Sequence, residues 1–306
     1  MNILITGGSG LIGRRLTELL LQRGHQVSHL GRTKREDAVK SFLWNIDQHQ
    51  VDLEAFKGID AIIHLAGASI ADRPWTDERK REIMDSRANS TRLLCDELTK
   101  GNHSVKTFIS ASAIGYYGFA DGEEIFGEES PPGKDFLASV TQRWEKEVDY
   151  IGELGIRVVK IRTGIALSEK GGVLPEIMRP VKFYVGAPLG SGNQYLSWIH
   201  IDDQCGIFVK ALEDPKMEGA YNGVAPNPIT NRALTNAIAK TLHKPLFLPP
   251  IPPFVLKFLL GEMADLALRG NRVSAAKILK AGYEFKFEHV DDALQDLLQK
   301  KKSSLN

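Results

Sequence analysis

The stretch that most restricts what this chain can fold into stands at its start: NILITGGSGLIG, residues 2–13. A short β-branched run, a glycine-rich turn and an apolar-periodic segment over Leu11–Arg23 read as strand, tight loop and helix. Glycines at 7, 10 and 13 have the spacing of a loop that wraps a dinucleotide pyrophosphate. Gly7 permits the turn, Gly10 lets backbone approach an anion closely, and Gly13 lets helix pack on strand. With Ser9, Leu11 and Ile12 they are candidate cofactor contacts, because unpaired N–H groups at a helix start favour negative charge.

The same rhythm continues to about residue 165. QVSHL (26–30), SFLWNI (41–46), DAIIHLA (60–66), VKTFISAS (105–112) and IRVVKI (156–161) are short apolar runs. Helical spacing fills 77–99 and 136–154 between them. Near-continuous apolar strands joined by helices predict an α/β fold with a doubly wound parallel sheet of the Rossmann type. After Gly164 glycine and proline become frequent and segments shorten. The organisation expected is a cofactor-binding Rossmann domain over 1–165 and a smaller α/β substrate domain over 166–306, with segments free to interleave. In the latter, LPPIPP (248–253) reads as an extended strap before a helix near Phe254–Leu268. A last amphipathic helix is expected over 290–300, with KKKSSLN fraying.

Composition removes several functions. The chain has 39 Lys+Arg against 38 Asp+Glu, a net charge of +1, so no overall footprint for nucleic acid or an anionic membrane is visible. Two cysteines, Cys95 and Cys205, suit a reducing compartment and supply neither a disulfide scaffold nor a multi-cysteine metal site. The histidines show no H-E-x-x-H spacing, so no metal is expected. Serine hydrolysis lacks its G-x-S-x-G elbow. Without a signal peptide or a bilayer-length apolar run, a cytoplasmic location is expected.

Cofactor choice is read where the second strand ends. An NAD site needs a carboxylate there to accept from the ribose 2′-hydroxyl, whereas this chain reads HLGRTKRED (29–37). Gly31, Arg32 and Thr33 occupy that place, and a guanidinium binds a 2′-phosphate where a carboxylate repels it. NADP(H) is the cofactor predicted, with Arg32 as the main contact. Further along, Arg162 in KIRTGIAL ends a strand toward the expected pyrophosphate, and the backbone at Ile165 is placed to meet the nicotinamide amide. Asp202 in SWIHIDD is expected to cap a helix over Gln204–Glu213, with His200 in a structural role.

Taken together, TGGSGLIG, HLAGAS (64–69), the Ser-Tyr stretch SASAIGYYG (110–118) and SWIHIDD (197–203) resemble an extended short-chain dehydrogenase/reductase. WTDERKREIMDSR (75–87), GSGNQYLSWIHIDD (190–203), YNGVAPNPITN (221–231) and RVSAAKILKAGYEF (272–285) narrow the resemblance to the epimerase-family subgroup, similar to nucleoside-diphosphate-sugar epimerases. It implies that Leu65, Ala66 and Gly67 line the adenosine side of the cofactor, and that Glu82 and Arg87 face it from a long helix. Ser112 matches the serine that holds the reacting oxygen. The superfamily's Tyr-x-x-x-Lys pair, in which lysine makes the phenol an acid or base near neutral pH, falls at Val140 and Trp144, which cannot do that work. Two classes stay open. One is an NADP(H)-dependent oxidoreductase or epimerase-like enzyme on a small polar, nucleotide-sugar-like molecule, with Tyr116 or Tyr117 as proton donor. The other is an NADP(H)-binding sensor or structural partner without turnover.

Overall fold

The computed structural model describes residues 1–34, 39–101, 103–120 and 123–299. Readings on the basic turn beyond Lys34 and on the KKKSSLN tail lie outside the described residues.

Along the chain the strands are β1 (Asn2–Thr6), β2 (Gln26–Gly31), β3 (Lys40–Asn45), β4 (Gln50–Val51), β5 (Ala61–His64), β6 (Thr107–Ala113) and β7 (Ile125–Phe126). There follow β8 (Arg157–Thr163), β9 (Ile165–Leu167), β10 (Tyr195–Leu196), β11 (Trp198–His200), β12 (Gly219–Gly223), β13 (Ile229–Thr230) and β14 (Arg272–Val273). The α-helices are α1 (Leu11–Gln22), α2 (Asp77–Thr99), α3 (Phe136–Gly152), α4 (Val173–Lys182) and α5 (Ile201–Glu213), then α6 (Asn231–Thr241), α7 (Pro253–Leu260), α8 (Asp265–Leu268), α9 (Ala276–Lys280) and α10 (Val290–Gln299).

The main sheet has the order β12-β8-β6-β5-β1-β2-β3-β4. Neighbours from β3 through β2, β1 and β5 to β6 are parallel, and β4 closes one edge antiparallel. This is the mostly parallel, Rossmann-like sheet the sequence predicts. Its central strands are buried along most of their length, Ile3–Ile5 and Ala61–Ile63 among them, as strands covered on both faces must be. Chain order reverses at β1, which has β2 on one side and β5 on the other. That switch point opens a crevice at the strands' carboxyl ends, where α/β sheets bind ligands.

The chain divides into two compact units: 1–116, 132–162 and 205–221 in the first, and 117–131, 163–204 and 222–306 in the second. The second has its own core, with Leu174, Trp198, Leu234, Ile238 and Leu294 buried together. Its small sheets pair β9 with β11, β10 with β13 and β7 with β14. The helix expected as one piece near 254–268 is broken at Gly261, whose φ of +56° leaves the right-handed helical region, so α7 and α8 are separate.

The SWIHIDD segment departs from expectation in a second way. Helix α5 begins at Ile201, so Asp202 lies in its first turn instead of capping it. The Asp202 N–H donates to His200 Nδ1 at 3.0 Å, which makes the imidazole the cap. Asp203, not singled out from the sequence, is fully buried and accepts from the Lys286 and Phe287 amides and the Tyr283 hydroxyl. It fastens residues 283–287 to the start of α5.

Candidate active site and cofactor cradle

In the first unit, chemistry-bearing residues gather at the carboxyl ends of β1, β2, β5 and β6. Gly7 has φ +69°, and a Cβ there would lie 2.8 Å from the Leu65 carbonyl carbon. A Cβ on Gly13 would come within 2.4 Å of the Gly7 oxygen. The loop closes on itself through a Gly10 N–H to Gly7 carbonyl bond of 3.0 Å. Gly10 caps α1 without a side-chain acceptor, and the first turn of α1 carries no acidic residue. Ser9 and Gly10 are exposed, Leu11 and Ile12 half-buried. This is a glycine turn at a helix N-terminus with no acidic residue in the helix's first turn, and it fits a dinucleotide pyrophosphate.

At the end of β2, Gly31 is half-buried while Arg32 and Thr33 are exposed. Among the described residues the nearest atom to a Cβ on Gly31 is the Thr33 carbonyl oxygen at 3.8 Å.

Past β5, a buried polar relay fixes the backbone. The Leu65 and Ala66 amides donate to Thr6 Oγ1, which lies 2.7 Å from His64 Nδ1. His64 Nε2 is 3.1 Å from Thr91 Oγ1, whose hydroxyl donates to the Arg87 carbonyl. Burial, reinforced by the charge of Arg87, lowers the His64 pKa to about 3, so the ring is neutral. The next residues, 68–73, are held down on α2. Buried Arg79 donates to the Ser69 carbonyl and pairs with Asp72 and Glu82, and Arg73 pairs with Glu82 as well. Glu82 is thus committed to two arginines, and the Arg79 hydrogen bond holds its carboxyl below the usual range. The structure shows it clamping Arg73 and Arg79, while the cofactor-facing role is what the resemblance implies.

Arg87 is different. Its Nη1 donates to the Ile83 carbonyl at 3.0 Å, and its guanidinium flanks Gly67, where a Cβ would stand 3.0 Å from Cζ. It lies over the Trp144 ring, 5.3 Å from the centroid. Burial, with Arg79's charge adding, pushes its pKa down to about 10, so it is a cation at neutral pH. Val140 and Trp144 are themselves buried on α3. A positive charge therefore reaches the indole that fills the lysine position, but it comes from α2.

At the end of β6 the buried Ser112 hydroxyl donates to Glu145 Oε1 at 2.6 Å. Arg162 binds the same carboxylate with two nitrogens, Nε to Oε1 at 2.8 Å and Nη2 to Oε2 at 2.9 Å. Burial alone would raise the Glu145 pKa; the hydrogen bonds and charge of Arg162, with the Ser112 bond, outweigh it and hold the carboxyl ionised. The Arg162 guanidinium also stacks on the Tyr116 ring, 3.5 Å from its centroid. Arg162 is thus held inside the protein on a carboxylate, while a contact to a cofactor or substrate pyrophosphate stays an expectation. Glu145 is the residue that sequence reasoning missed. A carboxylate at the centre of an otherwise apolar helical face was the available signal.

The two tyrosines part company. Tyr116 is half-buried beneath Arg162. Tyr117 is buried, stacked on Phe126, and donates to Asn222 Oδ1 at 2.7 Å within the second unit. That commitment gives Tyr117 a packing role. Ile165, also in the second unit, pairs with Trp198 on β11 and packs against that unit's core.

Comparison with known proteins bears on the family and the fold. Residues 3–223 match the NAD dependent epimerase/dehydratase family, and residues 251–297 match a domain of unknown function, DUF1731. The epimerase family protein YfhF of Bacillus subtilis is 38% identical over 306 residues, covering 99% of this chain and 100% of that protein. The crystal structure of the human epimerase family protein SDR39U1 (isoform 2) with NADPH is similar at a TM-score of 0.86 and 30% identity, over 97% of this chain and 99% of that one. A nucleoside-diphosphate sugar epimerase from Corynebacterium glutamicum has a TM-score of 0.80 and 31% identity, over 100% of this chain and 61% of that one. The chain belongs to the NAD dependent epimerase/dehydratase family.

Proposed function

We propose that this chain is an NADP(H)-dependent oxidoreductase or epimerase-like enzyme acting on a small polar substrate. The observation that carries the cofactor choice is the exposed Arg32 directly after β2, at the place where NAD's ribose hydroxyl would need a carboxylate. The human relative crystallised with NADPH supports the same choice. The amides of Gly7–Gly13 would hold the pyrophosphate, Arg32 and Thr33 the 2′-phosphate, and Leu65–Gly67 the ribose side.

When bound, the nicotinamide supplies or accepts a hydride. The chain's own part is to place and protonate the reacting oxygen. Because Ser112 spends its proton on Glu145, its oxygen lone pairs are what it offers a substrate, which suits a hydroxyl donor. Tyr116, half-buried under the Arg162 that binds Glu145, is the phenol assigned to proton exchange, and Arg87 supplies the cation near Trp144 that the family's lysine ordinarily brings. Nucleotide-sugar-like substrates fit this reading.

The decisive measurement is titration of the purified protein with NADPH and NADH. NADPH is expected to bind at least about tenfold more tightly, a difference of about 1.4 kcal/mol, and Arg32→Ala to erase it. Equal wild-type affinities would remove the NADP assignment. A second reading, cofactor binding without turnover, is favoured by buried Val140 and Trp144 at the Tyr-x-x-x-Lys positions. A metabolite-pool screen following NADPH oxidation separates the two.

A further inference from the structure

Every exposed phenylalanine among the described residues lies in one stretch of the second unit. Phe183 is 72% exposed, Phe247 71%, Phe254 72% and Phe258 89%. Val185, Leu248 and Leu259 are exposed with them. The segments carrying them run side by side: Lys244 Nζ donates to the Tyr184 hydroxyl at 2.6 Å, and the Gly190 and Ile251 amides bond across to the Ile251 and Pro188 carbonyls. α7 follows directly. Tyr184 is held at φ +63°, a conformation unusual for a bulky residue, and this turn directs Phe183, Tyr184 and Val185 outward together. Monomeric soluble proteins rarely leave such a concentration of large apolar side chains uncovered.

Along the two stretches that carry these side chains the charge is one-sided. No Asp or Glu occurs between Ile177 and Ile201, nor between Gly219 and Gly261; acidic residues resume at Glu262. The same two stretches carry Arg179, Lys182, Arg232, Lys240, Lys244 and Lys257. Lys182, Lys240 and Lys257 are exposed. A net charge of +1 over the whole chain conceals this segregation. Aromatic and leucine side chains interspersed with cations and free of carboxylates are what an anionic bilayer surface selects: apolar groups enter the headgroup boundary while lysines stay at the phosphates.

We propose that the surface formed by 182–185, 247–248 and α7 docks on an anionic phospholipid bilayer, lying on it without spanning it. Among the described residues no helix is long and apolar enough to cross a membrane, and α7 has eight residues. The proposal stands independently of the reaction catalysed.

The test is co-sedimentation of the full chain with phosphatidylcholine vesicles, with and without phosphatidylglycerol, at rising salt. Wild type is expected to sediment with the anionic vesicles only and to be released by salt. Phe254→Ser with Phe258→Ser should abolish binding while leaving the melting temperature unchanged, since both rings are exposed. Lys182→Glu with Lys257→Glu should weaken the vesicle partition coefficient by about tenfold or more. Failure of wild type to bind anionic vesicles overturns the proposal, as does binding that neither double variant reduces. Sedimentation equilibrium covers the rival occupant: a dimer lost in Phe254→Ser with Phe258→Ser, without vesicle binding, would assign the surface to a second copy of the chain.

Discussion

At the scale of single residues, two adjacent phenols are chemically identical in the sequence and differ in what surrounds them. Tyr117 is enclosed against Phe126, with its hydroxyl on Asn222; Tyr116 lies half-buried under a guanidinium. Tyr117→Phe is therefore expected to cost about 1–2 kcal/mol of stability, because Asn222 loses a buried partner, and to leave NADPH affinity unchanged. Tyr116→Phe should leave stability nearly intact and abolish whatever NADPH-linked turnover the wild type shows with its substrate. Urea unfolding and turnover assays on both variants check the pair, and a fully active Tyr116→Phe would remove it as proton donor. Neither distinction was legible beforehand, since Asn222 is 105 residues from Tyr117.

At the scale of elements, β6, α3 and β8 are tied by one buried carboxylate. Glu145 of α3 receives Ser112 of β6 and Arg162 of β8, each nearly out of reach of water. Glu145→Gln should destabilise the protein by about 3–5 kcal/mol, because Arg162 would lose the charge of its buried bidentate partner. Replacing both, Glu145→Leu with Arg162→Met, should cost clearly less than the two single changes summed; additivity in urea unfolding would show that the pair is not coupled. The β1–loop–α1 element makes a stricter demand. A Cβ at residue 13 collides with the Gly7 carbonyl, so Gly13→Ala must open the loop. An NADPH affinity reduced by at least about tenfold, with a stability loss of about 1–3 kcal/mol, is the expected result. Gly127→Ala, with open space around its Cβ, is the control. Here the sequence had foreseen the element and its reason, because the constraint is stereochemical and local.

At the scale of the whole molecule, stability should depend on acid through His64. Its folded pKa of about 3 lies below the model-peptide value of 6.5, so the unfolded chain takes up the proton first. The folded state is therefore favoured less as pH falls from 6.5 towards 3. Between pH 7 and 5 this one group removes about 2 kcal/mol. Urea unfolding at the two pH values should show that loss in wild type and show it reduced by about that amount in His64→Gln. Equal losses in both proteins would assign the acid sensitivity elsewhere.

The sequence by itself determined the parallel sheet, the glycine loop at its switch point and a guanidinium, Arg32, in place of a carboxylate directly after β2. Each follows from hydrophobic period, glycine stereochemistry or the charge of a side chain at a known strand end, all of which act over a few residues. The tertiary structure alone decided that Ser112 and Arg162 converge on Glu145, that Arg87 reaches Trp144 from another helix and that Tyr117 is enclosed. Those outcomes depend on which buried polar groups find one another across 17 to 105 residues of chain. Burial makes an unpaired charge or hydroxyl costly, so packing selects the partners, and no local pattern records the choice.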